Sequence, residues 1–481
     1  MLIAGPRAAI PDKAEANMQT IAVPIIVSTV LALVTWAILY RRAPGHRAVA
    51  AATAMFVLVW VVSFALDARR RGADARVPTT EPPENGQDVR LAQFESVRPV
   101  ALRSDGYVSS RACQNCHPDN HASWHASYHR TMTQIARPSA VMGDFDDTTI
   151  SFDGRTYRLE RRNDVCWVEM DDPDFDVGEV PRIERPIVLT TGSHHMQVFW
   201  YPDGGGSRVV GQMPLIFLKE EAQWIPRAAA FLKPPGGSFS AETGRWNKTC
   251  SRCHTTYGRA RPGDDGEWDT LVAEFGISCE ACHGPGQQHV QMHEEASRSA
   301  NVQRTHAFDD RIVDPGKLSH RRASEICGQC HSMAAPKNSK RELANGSDFR
   351  PGQVLDATHF VVRDDEAARG YYKQFMTAEE VTELMRMSFW ADGMIRVSGR
   401  EFNGLSDSAC YQRGELSCLS CHSLHKTDDD PRPLVEWADD QLGVGMNGND
   451  ACLQCHESNR YAYKHTHHQP HSSRTRCSTG H

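Results

Sequence analysis

The sequence predicts an α+β fold in which loops and short helices pack around covalently attached groups, with one inserted antiparallel β module. Two observations support this fold class. A five-residue cysteine motif recurs along the chain, and one stretch alternates between polar and apolar residues, with turn residues separating the runs. A third observation concerns the N-terminal part, where two uncharged apolar segments are each long enough to cross a membrane.

The recurring motif is CxxCH, which occurs six times and uses twelve of the fifteen cysteines. It is the attachment signature of c-type haem, in which both thiols bind the porphyrin and the histidine ligates the iron. A zinc or disulfide scaffold is the alternative for a single pair, but six copies favour haem. We therefore expect six haem c groups, attached through Cys113, Cys116, Cys250, Cys253, Cys279, Cys282, Cys327, Cys330, Cys418, Cys421, Cys452 and Cys455. The corresponding iron ligands are His117, His254, His283, His331, His422 and His456.

The composition agrees with a core that contains haem. Hydrophobic residues make up only 40% of the 481 residues, and porphyrins would supply apolar surface that side chains do not. The formal charge of −7 argues against nucleic acid as a partner and leaves cationic or redox-protein partners open.

The N-terminal part is interpreted as a membrane anchor over residues 1–71. Residues 20–40 and 48–66 carry no charge, and we expect them to form a two-helix transmembrane hairpin in the lipid bilayer, with buried helices of a soluble domain as the alternative. The connecting loop holds three basic residues and the flanks hold six, which by itself would place the flanks in the cytoplasm. Because bacteria attach haem c outside the cytoplasmic membrane, we instead expect an inner-membrane protein whose haem domain faces the periplasm.

Four further segments are predicted after the anchor. They are a Pro-rich spacer at 72–105, a first haem segment at 106–147, the β module at 148–235 and a multihaem domain at 236–481. Cys166 is expected to be a buried thiol in a strand, and Thr377 begins a capping box before an amphipathic helix. The chain stops at CSTGH, where Gly480 replaces the second cysteine of a motif. We expect a truncated end there rather than a seventh haem at Cys477.

Histidines are in surplus for the second axial position of each iron, since seventeen of the 23 lie outside the motifs. The run from 121 to 129 predicts a helix with His121, His125 and His129 on one face, one of which is a natural second ligand. His194 and His195 are adjacent at a strand boundary, so at most one should face a haem. The isolated His359 favours a core position. Further candidates follow the later motifs: His289, His293, His306, His320, His425, His465, His467, His468 and His471. Of the candidates after the last two motifs, we select His425 and His468.

The segments CEACHGPGQQH and CQNCHPDNHASWHASYH resemble those of periplasmic multihaem c-type cytochromes, in particular the group of tetrahaem nitrifier cytochromes and octahaem enzymes of nitrogen and sulfur oxyanions. Two later segments, SACYQRGELSCLSCHSLH and KHTHHQPH, are similar to parts of larger multihaem cytochromes that carry helical repeats. The resemblance implies a haem-packed cytochrome fold over roughly residues 107–481. It also implies that His129 and His289 are second ligands of haem iron.

Two functions are consistent with these features. A haem with two histidine ligands is closed and suits electron transfer, whereas an open sixth position permits chemistry on a small molecule. No CxxCK motif is present, and no residue is predicted to be catalytic. We therefore expect a membrane-anchored electron-transfer protein that links a quinol-dependent donor to a periplasmic redox partner, such as another cytochrome. The alternative is a reductase of nitrite, hydroxylamine or a sulfur oxyanion with one open haem.

Overall fold

The computed structural model describes residues 92–175, 179–204, 207–230, 245–264, 266–298, 311–448 and 450–455. The predicted membrane hairpin lies outside these residues, as do His456, His468 and Cys477. Within the described ranges, no helix is long and apolar enough to cross a membrane. Strands and short helices alternate through the described chain, which confirms the mixed α+β prediction.

Most strands lie between residues 133 and 226, in the part of the chain where the alternating pattern occurs. The strands in chain order are β1 (Val100–Ala101), β2 (Thr133–Ile135), β3 (Thr148–Phe152), β4 (Arg155–Arg162), β5 (Val165–Asp171), β6 (Arg182–Pro186), β7 (Leu189–Thr191), β8 (Met196–Pro202), β9 (Val210–Leu218), β10 (Gln223–Pro226), β11 (Thr255–Thr256), β12 (Leu271–Val272), β13 (Glu274–Phe275), β14 (Ala334–Pro336) and β15 (His359–Val361).

Two antiparallel sheets form from these strands. A four-stranded meander has the order β3-β4-β5-β6, and a five-stranded sheet has the order β10-β9-β8-β7-β2. The edge strand β2 comes from the segment assigned to the first haem, where Gln134 is paired with Thr190. The β structure therefore extends beyond the predicted limits of 148–235, because residues 133–135 complete its edge.

The five-stranded sheet is buried on both faces, since β8 alternates its side chains between two apolar clusters. Phe199 packs with Leu159 and Met213 in the cluster between the two large sheets. Trp200 points the other way and packs with Trp246 in the cluster that also touches Cys250. The second face of the sheet is therefore the platform on which the segment of the second CxxCH motif rests.

Short helices make up most of the remaining chain. They are α1 (Ser110–Gln114), α2 (Pro118–Ala126), α3 (Arg227–Ala230), α4 (Trp246–Thr249), α5 (Cys279–His283), α6 (Gln287–Arg298), α7 (His320–Gly328), α8 (Ser339–Asn345), α9 (Leu355–Thr358), α10 (Glu366–Tyr372), α11 (Ala378–Ser388), α12 (Glu401–Asp407), α13 (Ala409–Arg413), α14 (Leu434–Asp440) and α15 (Asp450–Leu453). Two 3₁₀ turns lie at Pro315–Lys317 and Cys418–Ser420.

The local predictions for α11 and Cys166 are confirmed. The Thr377 hydroxyl accepts the backbone N–H of Glu380, and the Glu380 carboxylate accepts that of Thr377, which is the capping box. Met385 of this helix is buried in an apolar cluster with Val381 and Phe389. Cys166 is buried in β5, and burial raises the pKa of its thiol to about 11. Residues 340–376, which precede this helix, contain α9, α10 and most of α8.

Candidate haem sites

Each fully described CxxCH motif forms one helical turn. In four motifs the backbone N–H of the histidine donates to the backbone carbonyl of the first cysteine at 2.8 to 2.9 Å, as between His331 and Cys327. The third motif is the short helix α5. Residues i, i+3 and i+4 of a helical turn share one face. The spacing therefore places both thiols and the imidazole on the same side of the backbone, where a porphyrin can bind.

One pair of histidines faces across the first motif. The rings of His117 and His289 are nearly parallel, with an interplanar angle of 22° and ring centroids 6.3 Å apart. Two imidazoles on one iron have centroids about 6 Å apart, because each metal–nitrogen bond is about 2 Å long and each ring centre lies about 1 Å behind its nitrogen. The observed separation therefore fits one haem iron between His117 and His289.

Two further pairs have the same separation. His283 of the third motif and His425 lie 6.3 Å apart with an interplanar angle of 25°. His331 of the fourth motif and His129 also lie 6.3 Å apart, but their planes are inclined at 73°. In each of the three pairs, the second histidine comes from a segment that follows a different motif. The structure thus brings together six of the histidines that were predicted as ligands.

In the third-motif pair, the Nδ1 of each imidazole is hydrogen-bonded to a backbone carbonyl. The Nδ1–H of His283 donates to the carbonyl of Val313 at 2.7 Å, and the Nδ1 of His425 lies 3.2 Å from the carbonyl of Asn120. A hydrogen bond from Nδ1 fixes the tautomer and orients the ring. It leaves Nε2 of each imidazole available to the iron.

The fourth-motif pair is held by side chains. The Nδ1–H of His129 donates to the amide oxygen of Gln441 at 3.0 Å, and that of His331 donates to the Glu401 carboxylate at 3.0 Å. Burial raises the pKa of Glu401, but hydrogen bonds from His331 and from backbone N–H groups outweigh it and bring the pKa to about 2. The hydrogen bond to Glu401 raises the pKa of His331.

Burial shifts four of the described ligand candidates toward the neutral form, which is the form in which imidazole binds a metal. Desolvation lowers the pKa below the usual histidine value at His117, His129, His254 and His425.

The second and fifth motifs lack such a pair in the described chain. No described histidine ring faces His254 or His422 at the separation found in the three pairs. The Nδ1 of His254 is also buried without a hydrogen-bond partner among the described residues.

Thiol contacts connect the motifs with one another. Pairs of cysteine side chains lie close enough to shift each other's pKa, and they join the first motif to the third, the second to the fourth and the fourth to the fifth. The three thiol pairs are Cys113 with Cys279, Cys253 with Cys330, and Cys327 with Cys418.

Two glutamines complete the connections. Gln329 of the fourth motif donates to the carbonyl of Ala281 in the third at 3.0 Å. Gln454 of the sixth motif donates to the thiol of Cys421 in the fifth at 4.0 Å. The motifs therefore form a continuous series in the order first, third, fourth, fifth and sixth, and the second motif branches from the fourth.

A buried carboxylate inside the third motif anchors the first. Glu280 is 1% exposed and accepts the backbone N–H groups of Val108, Ser109 and Gly286, at 2.8 to 3.1 Å. Burial raises its pKa, and these amide donors oppose the shift. An unsatisfied buried amide costs about 1–3 kcal/mol, so this carboxylate fixes the turn that precedes Cys113.

Helix α2 and the turn after β7 differ from their predicted arrangements. Helix α2 ends at Ala126, so His129 lies in the turn beyond it and not on a helical face with His121 and His125. His194 and His195 also do not point to opposite sides. They lie in a turn before β8 rather than in a strand, and their rings stack 3.8 Å apart.

Two other histidines have hydrogen-bond partners within the protein. His359 is buried, and its nitrogens contact Thr358 and Glu342 at 2.9 and 2.7 Å, as expected of a core histidine. The Nε2–H of His320 donates to the carbonyl of Tyr411 at 3.2 Å.

The residues that orient the ligands were not identified from sequence. Gln441 and Glu401 lie 312 and 70 residues from the histidines they contact, and nothing in the local pattern links them. Val313 contributes through its backbone carbonyl, which carries no residue-type signal. Glu280 could have been identified from sequence, because it is a charged residue inside a motif that must pack against porphyrin.

Comparisons with known proteins agree with the haem geometry. The family described as "Cytochrome c554 and c-prime" matches residues 231–284, and the family described as "Doubled CXXCH motif" matches residues 411–461. The first match contains the second and third CxxCH motifs, and the other contains the fifth and sixth. The chain is a multihaem c-type cytochrome. Its cofactor is haem c.

Two solved structures are similar to this cytochrome at low identity. One is the Outer Cell Wall Cytochrome OcwA, with 19% identity and a TM-score of 0.38 over 77% of this chain and 64% of that chain. The other is the undecahaem cytochrome from the S-layer of Carboxydothermus ferrireducens, with 16% identity and a TM-score of 0.33 over 77% of this chain and 45% of that chain. The cytochrome thus spans less than two thirds of the length of either protein. No curated protein matches it.

Proposed function

We propose that this cytochrome transfers electrons along haems attached at successive CxxCH motifs. The observation that carries the proposal is the set of three facing histidine pairs, each with ring centroids 6.3 Å apart. Haem with two histidine ligands exchanges single electrons between its ferric and ferrous states and leaves no position for a substrate. The direct contacts between motifs support the proposal, because they keep neighbouring haems close.

The polypeptide contributes rigidity and shielding. Hydrogen bonds from Nδ1 hold four of the paired imidazoles, which limits structural change when the charge of the bound iron changes. Because each pair joins two separate segments of chain, as His425 does with His283, binding of haem also ties the segments together. We therefore propose that haem attachment and folding of this region are coupled.

The proposed setting is the outer side of the cytoplasmic membrane. Covalent haem attachment takes place there, and the apolar segments at 20–40 and 48–66 would anchor the chain in the inner membrane. The proposed partners are a quinol-linked donor in the membrane and a periplasmic redox protein. A cationic surface on that protein would suit the formal charge of −7, which haem propionates make more negative.

Replacement of His289 tests the histidine pairs. We expect His289→Ala to open the haem of the first motif, so that added cyanide shifts its spectrum while the other described pairs stay low-spin. His293→Ala is the matched control, because His293 lies on the same helix with its ring 4.6 Å from that of His289. The measurement is EPR and visible spectroscopy of the matured protein. A His289→Ala protein that remains fully low-spin and does not respond to cyanide would show that another residue ligates this iron.

A reductase is the second candidate function, and the second motif favours it. No described histidine faces His254 or His422, and of these two motifs only the second lies on a branch of the series rather than within it. We propose that, if any described haem is open to nitrite, hydroxylamine or a sulfur oxyanion, it is the one attached at Cys250 and Cys253. A high-spin ferric signal in the wild-type protein that shifts with nitrite would support this candidate. Entirely low-spin haem would eliminate it.

A further inference from the structure

The fourth motif differs from the third in what its proximal histidine contacts. His283 donates its Nδ1–H to a neutral backbone carbonyl, whereas His331 donates to the carboxylate of Glu401. The paired histidines, His129 and His425, also have neutral acceptors, which are the Gln441 amide and the Asn120 carbonyl. Of these four contacts, only the one to His331 is ionic.

Two hydrogen bonds and the start of a helix orient Glu401 in this position. It is the first residue of helix α12, where the helix dipole favours a negative charge. Its Oε1 accepts the backbone N–H of Gly399 at 3.0 Å, and its Oε2 accepts from His331. The carboxylate is thus oriented at both oxygens, and its contact with the imidazole follows from the start of a helix.

A carboxylate acceptor changes the electronic character of the imidazole. It draws the Nδ1 proton toward itself, which makes Nε2 a stronger donor to the iron. A stronger donor stabilises the ferric form more than the ferrous form, and the reduction potential of the haem falls. A neutral carbonyl has a weaker effect of the same kind.

We propose that Glu401 lowers the reduction potential of the haem attached at Cys327 and Cys330. This inference rests on the proposed electron-transfer function and adds a residue that determines its energetics. The fourth motif contacts the second, third and fifth, so its haem occupies the junction of the series. A residue that sets the potential at this junction therefore influences how readily electrons pass between the flanking haems.

The near-perpendicular imidazole planes provide a way to observe this haem separately. Ferric low-spin haems with nearly perpendicular planes give a strongly anisotropic EPR signal, whereas nearly parallel planes give a rhombic one. The angle is 73° for His331 with His129, and 22° and 25° for the other two pairs. Among the three described pairs, a strongly anisotropic signal therefore reports the fourth-motif haem, and a redox titration followed by EPR measures its potential.

The test compares Glu401→Gln with wild type in this titration. We expect the anisotropic signal to be lost at a higher potential, with a change of tenfold or more in the reduction equilibrium constant, which is about 59 mV for one electron. Glu401→Asp retains the charge and should keep the wild-type potential more closely. The matched control is Asp407→Asn, which removes a charge at the other end of α12, where Asp407 pairs with Arg363. This variant should change the potential at which the signal is lost by only a small fraction of that shift.

A neighbouring cation is constant across these variants. Arg400 donates to the carbonyl of Cys330 at 3.2 Å and remains in every protein compared. Differences between the variants therefore report the carboxylate alone.

The outcomes separate this inference from the proposed function. If the anisotropic signal is present in all variants and titrates at the same potential in each of them, the role of Glu401 is overturned and the electron-transfer function is unaffected. Absence of the anisotropic signal from the wild-type protein would contradict the His129–His331 pair and overturn this inference, whereas absence of every low-spin signal would overturn the proposed function as well. An equal shift of the potential in Asp407→Asn would show that the effect comes from general surface charge, and it would overturn the specific role of Glu401.

Discussion

Individual hydrogen bonds decide which nitrogen each histidine offers to iron. His129, His283, His331 and His425 all donate Nδ1–H to a protein acceptor, although the acceptors are chemically different. His320 instead donates Nε2–H to a carbonyl, and both nitrogens of His359 have partners. Hydrogen bonding thus distinguishes these paired histidines from His320 and His359, which the sequence does not.

An ion pair near His425 gives a pH-dependent prediction. Asp430 follows His425 by five residues, and hydrogen bonds from Arg432 lower the pKa of Asp430 from its ordinary value of 3.8 to about 2. A carboxyl whose pKa is lowered by folding stabilises the folded state above its unfolded pKa, and the stabilisation is lost as the pH falls through the folded pKa. We therefore expect Asp430→Asn to reduce the free energy of unfolding at about pH 6.

The pH profile of that difference is the measurement. Denaturant unfolding of both proteins, followed by haem absorbance, should show a constant difference above about pH 4 that disappears toward pH 2. Because the same loop carries His425, the low-spin signal of the third-motif haem should weaken over the same range. A difference between the proteins that does not vary with pH would contradict the role of the ionised Asp430.

At the scale of elements, a tight backbone contact positions the turn that carries His129. Gly276 has a φ of +75°, and a Cβ at this position would lie 2.0 Å from the carbonyl oxygen of Arg130. The adjacent Ile277 donates its N–H to the carbonyl of His129 at 2.9 Å and accepts the indole N–H of Trp124 at 2.8 Å. The loop before α5 thus holds both ends of the turn.

Substitution of this glycine tests the contact. We expect Gly276→Ala to displace the His129 turn and to remove the anisotropic EPR signal of the fourth-motif haem. Gly154→Ala is the matched control, since Gly154 has the same φ of +75° but no atom within 4 Å of an added Cβ. It should cost only about 1 kcal/mol of backbone strain and keep the signal. Equal spectra for the two variants would show that the close contact at Gly276 does not position His129.

Local elements were more predictable than their pairing. The one-turn geometry of CxxCH, the strands in the alternating region and the Thr377 capping box all follow from short-range pattern. Which histidine faces which motif depends on contacts between residues more than 100 apart, as for His129 with His331. The helix predicted through 129 ends at Ala126, because the chain must turn there to reach the fourth motif.

For the whole molecule, the arrangement of motifs differs from their order in the sequence. The first motif contacts the third, and the second branches from the fourth. The second and third motifs, whose first cysteines are 29 residues apart, adjoin through Thr256 and Ser278, which are hydrogen-bonded to each other at 2.8 and 2.9 Å. Both motifs also contact the fourth, through Cys330 and Gln329. The β sheets are one physical reason why the motifs are not arranged in sequence order. They separate the first two motifs along the chain, and one sheet packs against the segment of the second motif.

The most direct test of a connected series of haems is to follow one electron within a single molecule. When a photoreductant delivers at most one electron to each molecule of matured cytochrome, we expect the electron to redistribute among haems of different potential within the same molecule. The spectral change should then be first-order, with a rate constant that does not depend on protein concentration. Redistribution whose rate rises in proportion to protein concentration would mean that electrons move only between molecules, and it would contradict a connected series of haems in one chain.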